Sequence, residues 1–280
     1  VESWIDAVST LRNQRRAAVL LTLTSVRGHA PREAGAKMVI SQDKTFGTVG
    51  GGNLEMAAIT RARQLISEGV TGPETMELRL NDKTPATYGR QCCGGEVKLL
   101  LEPLPVPKTV AIFGLGHVGM ELARILSRHP IDLYLTDSRP EAIEAASLLQ
   151  PSVASIQAQV AVMGEQVLST LPEGSHVLIM THDHAEDFHL SDAALAHPSL
   201  GSIGLIGSKA KWTRFRKNLS DSGHSEQEIS RIQCPIGIPE VTGKQPAVIA
   251  VSVAAQLMQL LGDHHTQSHS QSHNVVELRA

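Results

Sequence analysis

Apolar and polar positions follow two rhythms along this chain, and the change comes near residue 105. Before it, short apolar runs are separated by glycine-rich turns. The runs AAVLLTLTSV (17–26), KMVIS (37–41), TMELRL (75–80) and EVKLLLEPL (96–104) are β-rich and predict strands. Between the first two lies RGHAPREAGA, a loop carrying Arg27, His29, Arg32 and Glu33. The stretch TFGTVGGGNLEMAAITRARQLISEG predicts a strand, a triple-glycine turn and a helix. In that helix Leu54, Ala57, Ala58, Ala62, Leu65 and Ile66 recur at helical spacing, Asn53 is placed to cap the start, and Gly69 suits the stop.

EPLPVPK (102–108) sets three prolines close together and marks a domain boundary. Beyond it strands alternate with helices. TVAIFGLGHVGMELARILSRHPIDLYLTDSR reads as strand, glycine turn, helix and a second strand ending in Asp137. HVLIMTH (176–182) and SIGLIG (202–207) are further strands, with helices around 187–197 and over SKAKWTRFRKNLSDSG. This alternation predicts a parallel sheet covered on both faces. A last helix, PAVIAVSVAAQLMQLLG, starts at Pro246 and is apolar almost all round, so it is buried against the body or against a second subunit, as in a homodimer. The expected organisation is a small mixed α/β domain over 1–104, a parallel-sheet domain over 105–262, and a disordered Ser/Gln/His-rich tail over 263–280.

Composition narrows the class. At 280 residues, with 41% hydrophobic and 19% charged residues, the chain is a soluble globular protein with room for two domains. Aromatics are only 3%, so Ala, Val, Leu and Ile build the core. A net charge of −3 gives no electrostatic reason for nucleic acid or an anionic membrane as partner. No apolar run approaches the roughly 18 residues of a membrane span. The first residues lack the arrangement of a secretory signal, and three cysteines, two of them adjacent, make no disulfide framework. A reducing cytoplasm is the expected compartment.

Gly114-Leu-Gly116-His-Val-Gly119 follows an apolar strand and opens a helix, with Asp137 at the end of the next strand. That context turns a weak GxGxxG motif into a Rossmann-type fingerprint. The first glycine makes the turn, the second lets backbone N–H groups reach a phosphate, and the third lets helix pack on strand. Asp137 suits ribose hydroxyls, hence NAD, although Arg139 stands close by. No hydride-transfer apparatus follows. THDHAEDF offers His182, Asp183, His184, Glu186, Asp187 and His189 at a strand end, where a His-x-His pair with carboxylates suits a transition metal or acid–base work. Ser208 and Lys209 begin a helix after GLIG and suit an anion, together with Lys211.

Two turns in the first domain carry further chemistry. Successive N–H groups of Gly50-Gly51-Gly52 form a concave anion site, and Arg32 and Lys37 lie one segment earlier. Cys92-Cys93-Gly94-Gly95 lies between Arg90-Gln91 and a strand, unlike a buried structural pair, and its spacing is not that of zinc. A nucleophile, a redox pair, or thiolate contact with a metal or sulfur donor all remain open. From these residues alone the chain is either an NAD-dependent oxidoreductase, an NAD-sensing regulator, or a carrier of a phosphate-bearing ligand.

The combination SVRGHAPREAGAKMVI, TVGGGNLE, QCCGG, IFGLGHVG, DSR, MTHDH, GLIGSKAKW and CPIGIPEVTGKQPAVIAVSVAAQL resembles the XdhC/CoxI family of xanthine dehydrogenase accessory proteins. The adjacent cysteines are similar to the XdhC branch. The resemblance implies a maturation factor, not an enzyme with its own turnover. Such a factor binds the molybdenum cofactor (molybdopterin), holds it while a cysteine desulfurase supplies sulfur, and assists insertion into apo-xanthine dehydrogenase. On that resemblance Cys92 and Cys93 contact the molybdenum or its sulfur, Gly94 and Gly95 allow close approach, and the triple-glycine turn and Rossmann cleft are candidate holders of phosphate and pterin. One departure stands out: the family pattern Gly-Gly-Gly-His-Leu-Glu has Asn53 here in place of histidine.

Overall fold

The computed structural model describes residues 3–80, 95–149 and 152–262, which fall into two compact units dividing between Val106 and Pro107. The cysteine pair, Gly94 and the tail lie outside the described residues.

Unit 1 runs α1 (Trp4–Asn13), β1 (Ala18–Arg27), β2 (Lys37–Ser41), β3 (Thr45–Gly47), α2 (Gly52–Glu68), β4 (Glu74–Leu80) and β5 (Gly95–Leu104). Its five strands form an antiparallel sheet in the order β3-β2-β1-β5-β4. Along β1 the side chains alternate between faces, as a period of two requires. Val19, Leu21 and Leu23 pack under α2, whereas Ala18 joins Ala7 and Leu11 of α1 on the other face. Leu54, Ala58, Ala62 and Leu65 make the buried stripe of α2, and Gly69 ends it in the left-handed conformation at φ 67°. Burying Leu54 and Leu65 contributes about 1.5–3 kcal/mol each. The α1 helix, absent from the sequence reading, is capped by Ser3, whose hydroxyl accepts from the Asp6 N–H at 3.2 Å.

Unit 2 runs β6 (Thr109–Phe113), α3 (His117–Leu126), β7 (Asp132–Asp137), α4 (Pro140–Ser147), β8 (Ser155–Val160), α5 (Gly164–Leu168), β9 (His176–Ile179), α6 (His184–Leu195), β10 (Ser202–Leu205), α7 (Lys209–Asp221), α8 (Glu226–Ile229), β11 (Ile232–Gln233) and α9 (Pro246–Leu261). All strand pairs are parallel, in the order β11-β10-β9-β6-β7-β8. Counted within the unit this is 3-2-1-4-5-6, the doubly wound Rossmann order, and the order in which strands are added reverses between β6 and β9. The mixed α/β class with a Rossmann C-terminal part is thus as expected.

The central strand β6 is buried on both faces, so after Thr109 its VAIF run is continuously apolar. Val110 and Ile112 face α3, α4 and α9, while Ala111 and Phe113 face α5, α6 and α7. The apolar last helix therefore packs within its own unit. Ala250, Val253, Ala254 and Leu257 of α9 share a core with Leu122, Ala123 and Leu126 of α3. No helix among the described residues is long and apolar enough to cross a membrane.

Candidate functional site

In unit 1 three sequence motifs meet at one end of the antiparallel sheet. A Cβ at Gly50 would lie 2.4 Å from Pro31 Cγ, so the triple-glycine turn presses on the RGHAPRE loop. A Cβ at Gly95 would lie 2.4 Å from the His29 carbonyl oxygen and 2.9 Å from that of Arg27, so the same loop presses on the start of β5. Only glycine fits at either place without displacing backbone or proline ring. Gly95 directly follows Cys92-Cys93-Gly94 in the chain. His29 and Arg32 are exposed on the loop. Lys37 does not join them: its ammonium donates to Thr22 Oγ1 at 2.8 Å and lies over the Trp4 ring.

The triple-glycine turn has all three φ angles positive, 129°, 78° and 64° for Gly50, Gly51 and Gly52, and its N–H groups do converge as a nest. The nest already holds an anion, the chain's own Glu55. Glu55 Oε1 accepts from the N–H groups of Val49 (2.9 Å), Gly50 (3.2 Å) and Gly51 (2.9 Å), and from the Thr48 hydroxyl. Partial burial pushes the Glu55 carboxyl upward, but the Thr48 hydroxyl and these three N–H groups outweigh it and hold the group below the usual carboxylate range. A second expectation also changes. The helix N-cap is Gly51 with no side-chain cap, and Asn53 lies inside the first turn of α2. Thr48 and Glu55 were passed over in the sequence. A glutamate in the opening turn of a helix that starts on glycines was the available signal, by analogy with the capping box.

In unit 2 the fingerprint glycines sit at the switch point, where ligands of such sheets bind. Gly114 has φ 100°, and a Cβ there would lie 2.4 Å from the Met180 carbonyl oxygen at the end of β9. A Cβ at Gly119 would lie 2.1 Å from the Gly114 carbonyl oxygen. Gly116 differs: its φ is −69°, and among the described residues nothing lies within 4 Å of an added Cβ and no side chain caps α3. The three glycines thus divide into two packing positions and one open one.

Asp137 is buried, and its two oxygens receive four donors. Oδ1 accepts from the Arg139 N–H and Nε, both at 2.9 Å, while Oδ2 accepts from the Leu115 N–H at 2.6 Å and Arg139 Nη2 at 2.9 Å. Burial pushes this carboxyl up; the Arg139 guanidinium and the two N–H groups overcome that and hold it at about 2. A carboxylate offers about four lone-pair positions, so a ribose diol would have to displace a donor. Asp137 ties the glycine turn to the end of β7, and the ribose role expected of it would require Arg139 or Leu115 to give up its bond.

The acidic strand-end cluster is also turned to bracing. Asp187 is wholly buried and accepts from the Thr181 N–H at 3.0 Å, the Thr181 hydroxyl at 2.8 Å and Lys211 Nζ. Lys211 also donates to the Ile206 carbonyl at 2.9 Å and lies over the Phe215 ring. This buried pair joins the end of β9 to the start of α7. Cys234 lies beside it, its thiol pushed up to about 11 by burial and by Asp187, with Lys211 opposing. Such a thiol stays protonated at neutral pH.

His182 and His184 are exposed, and His184 Nδ1 is 3.3 Å from Arg214 Nη2. Among the described residues no group of three or more His, Cys, Asp or Glu is arranged to hold a metal ion, so the His182/His184 expectation gains no site. Asp183 caps α6 through the Ala185 and Glu186 N–H groups. Ser208 caps α7 through the Lys211 N–H at 3.2 Å, and Lys209 is exposed beside it.

Profiles of known families match both units. The XdhC Rossmann domain matches residues 110–257, and the XdhC and CoxI family matches residues 11–78. The chain is 25% identical over 274 residues, 96% of its length, to the uncharacterized protein YqeB of Escherichia coli K12, and spans about half of that protein (49%). It is also 25% identical over 280 aligned residues to the molybdenum cofactor insertion chaperone PaoD of Escherichia coli K12, covering 86% of this chain and 83% of PaoD. A solved structure described as a xanthine dehydrogenase from Bacillus halodurans aligns over 96% of this chain and 97% of its own, with 21% identity and a TM-score of 0.46. With the Rossmann profile spanning more than half of the residues and the second profile lying on the motif-bearing sheet of unit 1, the chain belongs to the XdhC and CoxI family.

Proposed function

We propose that this chain is a maturation factor that carries the molybdenum cofactor to a molybdoenzyme of the xanthine dehydrogenase type and has no turnover of its own. The observation that carries this reading is the meeting, in unit 1, of the loop bearing His29 and Arg32 with the triple-glycine turn and with Gly95, two residues after Cys93 in the chain. Family membership and the name of the relative PaoD point the same way. In this reading Cys92 and Cys93 contact the molybdenum or its sulfur. A cysteine desulfurase supplies the sulfur, and the loaded protein hands its cargo to the apo-enzyme in the cytoplasm. Taken by itself, the start of α3 at Gly116, which no described side chain caps, suits a phosphate-bearing ligand. An NAD-dependent function draws no support from Asp137, whose acceptor positions are taken.

The test is molybdenum retained per protein after gel filtration, following incubation with cofactor released from a mature molybdoenzyme. Wild type is run beside Cys92→Ala, Cys93→Ala and Gly116→Ala. Retention by wild type and its loss in a folded cysteine variant is the expected result. Folded wild type that retains no molybdenum overturns the reading.

A further inference from the structure

The triple-glycine turn has the outline of an anion cradle, yet the anion in it is covalently part of the chain. Three backbone N–H groups and one hydroxyl point at a single oxygen of Glu55, and the Gly50 N–H also reaches Thr48 Oγ1 at 3.1 Å. One carboxylate oxygen has about two lone-pair positions, so four donors oversubscribe it. A phosphate using these donors must first expel Glu55, and the carboxylate competes as an intramolecular ligand at high effective concentration. The turn is also mechanically linked to the neighbouring loop. Gly50 touches Pro31, and Pro31 lies between His29 and Arg32. Any shift of the turn is therefore felt by the loop that bears those two exposed side chains.

From this geometry we infer that Glu55 is a positioning residue: it occupies the glycine nest, keeps cargo phosphate out of it, and through Gly50 and Pro31 sets the loop carrying His29 and Arg32. The inference rests on the reading that unit 1 takes part in holding the cofactor. It assigns the triple-glycine turn to scaffolding, so the contacts unit 1 makes with cargo come from side chains around it.

The experiment uses the full chain, isotope-labelled, with the backbone N–H signals of Val49, Gly50 and Gly51 followed by NMR during titration with inorganic phosphate. Molybdenum retention and melting temperature are measured alongside. In wild type, phosphate leaves the three signals in place; in Glu55→Ala it moves them, because the vacated nest takes the ion. Glu55→Ala lowers molybdenum retention at least about tenfold, and Glu55→Gln, which keeps an acceptor oxygen, restores most of it. Phosphate shifts in wild type as large as those in Glu55→Ala overturn the inference, as does a folded Glu55→Ala that retains molybdenum like wild type. Should Glu55→Ala fail to fold, the wild-type titration and Glu55→Gln still decide. Wild type that binds no cofactor overturns the carrier reading alone, because the phosphate titration of the turn is independent of it.

Discussion

The two glycine turns of this protein look alike in sequence and are built on opposite principles. The turn at Gly50–Gly52 is held by hydrogen bonds from backbone to Glu55, which takes the N–H groups of Val49, Gly50 and Gly51. The turn at Gly114–Gly119 is held by steric fit: backbone of the turn and of β9 approaches so closely that a methyl group has no place at Gly114 or Gly119. At its middle glycine, Gly116, no described residue comes within 4 Å of an added Cβ. A glycine run thus marks either a nest closed by a side chain or a close contact between elements. Which one applies depends on what the surrounding residues bring to it.

The sharpest way to break this comparison is Gly119→Ala. A contact of 2.1 Å to the Gly114 oxygen forces the start of α3 away from β6, and we expect a loss of about 3 kcal/mol or more in urea unfolding. A loss below about 1 kcal/mol would show that the turn relaxes freely and that steric fit does not hold it.

Asp137→Asn comes next. Asparagine keeps one oxygen, but its amide nitrogen cannot accept from Leu115 or Arg139. Lowering a carboxyl from 3.8 to about 2 corresponds to about 2.4 kcal/mol; with Arg139 partly exposed we expect about 1–2 kcal/mol. The folded value lies below the unfolded one, so the contribution is complete above about pH 4 and is lost as pH falls through about 2. The stability difference between wild type and variant should therefore be full at pH 7 and shrink in acid. A difference independent of pH would remove the ion pair as its cause.

Within unit 1 the two neighbouring glycines separate strain from collision. Gly51→Ala meets nothing within 4 Å among the described residues but must adopt φ 78° with ψ −176°, a region essentially confined to glycine, which costs about 2 kcal/mol. Gly50→Ala combines strain at φ 129° with collision on Pro31 and is expected to cost about 3 kcal/mol. Equal costs would mean that Pro31 yields and that the turn does not govern the loop. The smallest effect belongs to Gly116→Ala, within about 0.5 kcal/mol of wild type by thermal or urea unfolding. Its molybdenum retention, measured on the same sample, then reports ligand access with stability held constant.

Much of the fold was legible along the chain because it is written in local periodicities. The apolar VAIF run of β6, the glycine turn after it and the alternation of strands with helices predict the parallel sheet, and Pro246 marks the start of α9. Elements with weak signals were missed. β8 is a short edge strand exposed along most of its length, so it carries no burial pattern, and α5 and α8 are barely one turn each. At the site, the motif positions were visible but the partners were not. Asp137 reads as a ribose ligand until Arg139 and Leu115 are seen on it, and Asp187 reads as part of a histidine-rich cluster until Lys211, 24 residues later, reaches it inside the sheet.

By itself the sequence determined where the turns fall, which runs are strands and helices, and that the second unit is doubly wound, since these follow from side-chain period, glycine and proline within a few neighbouring residues. The tertiary structure alone decided what the acids do. Glu55, Asp137 and Asp187 each accept N–H groups from a motif loop, and the last two also pair with a cation. A carboxylate's role depends on which donors packing brings within about 3 Å and on how much water it excludes. Spacing hints at the near donors, but Leu115, 22 residues from Asp137, and Lys211, 24 residues from Asp187, are brought in by the fold alone.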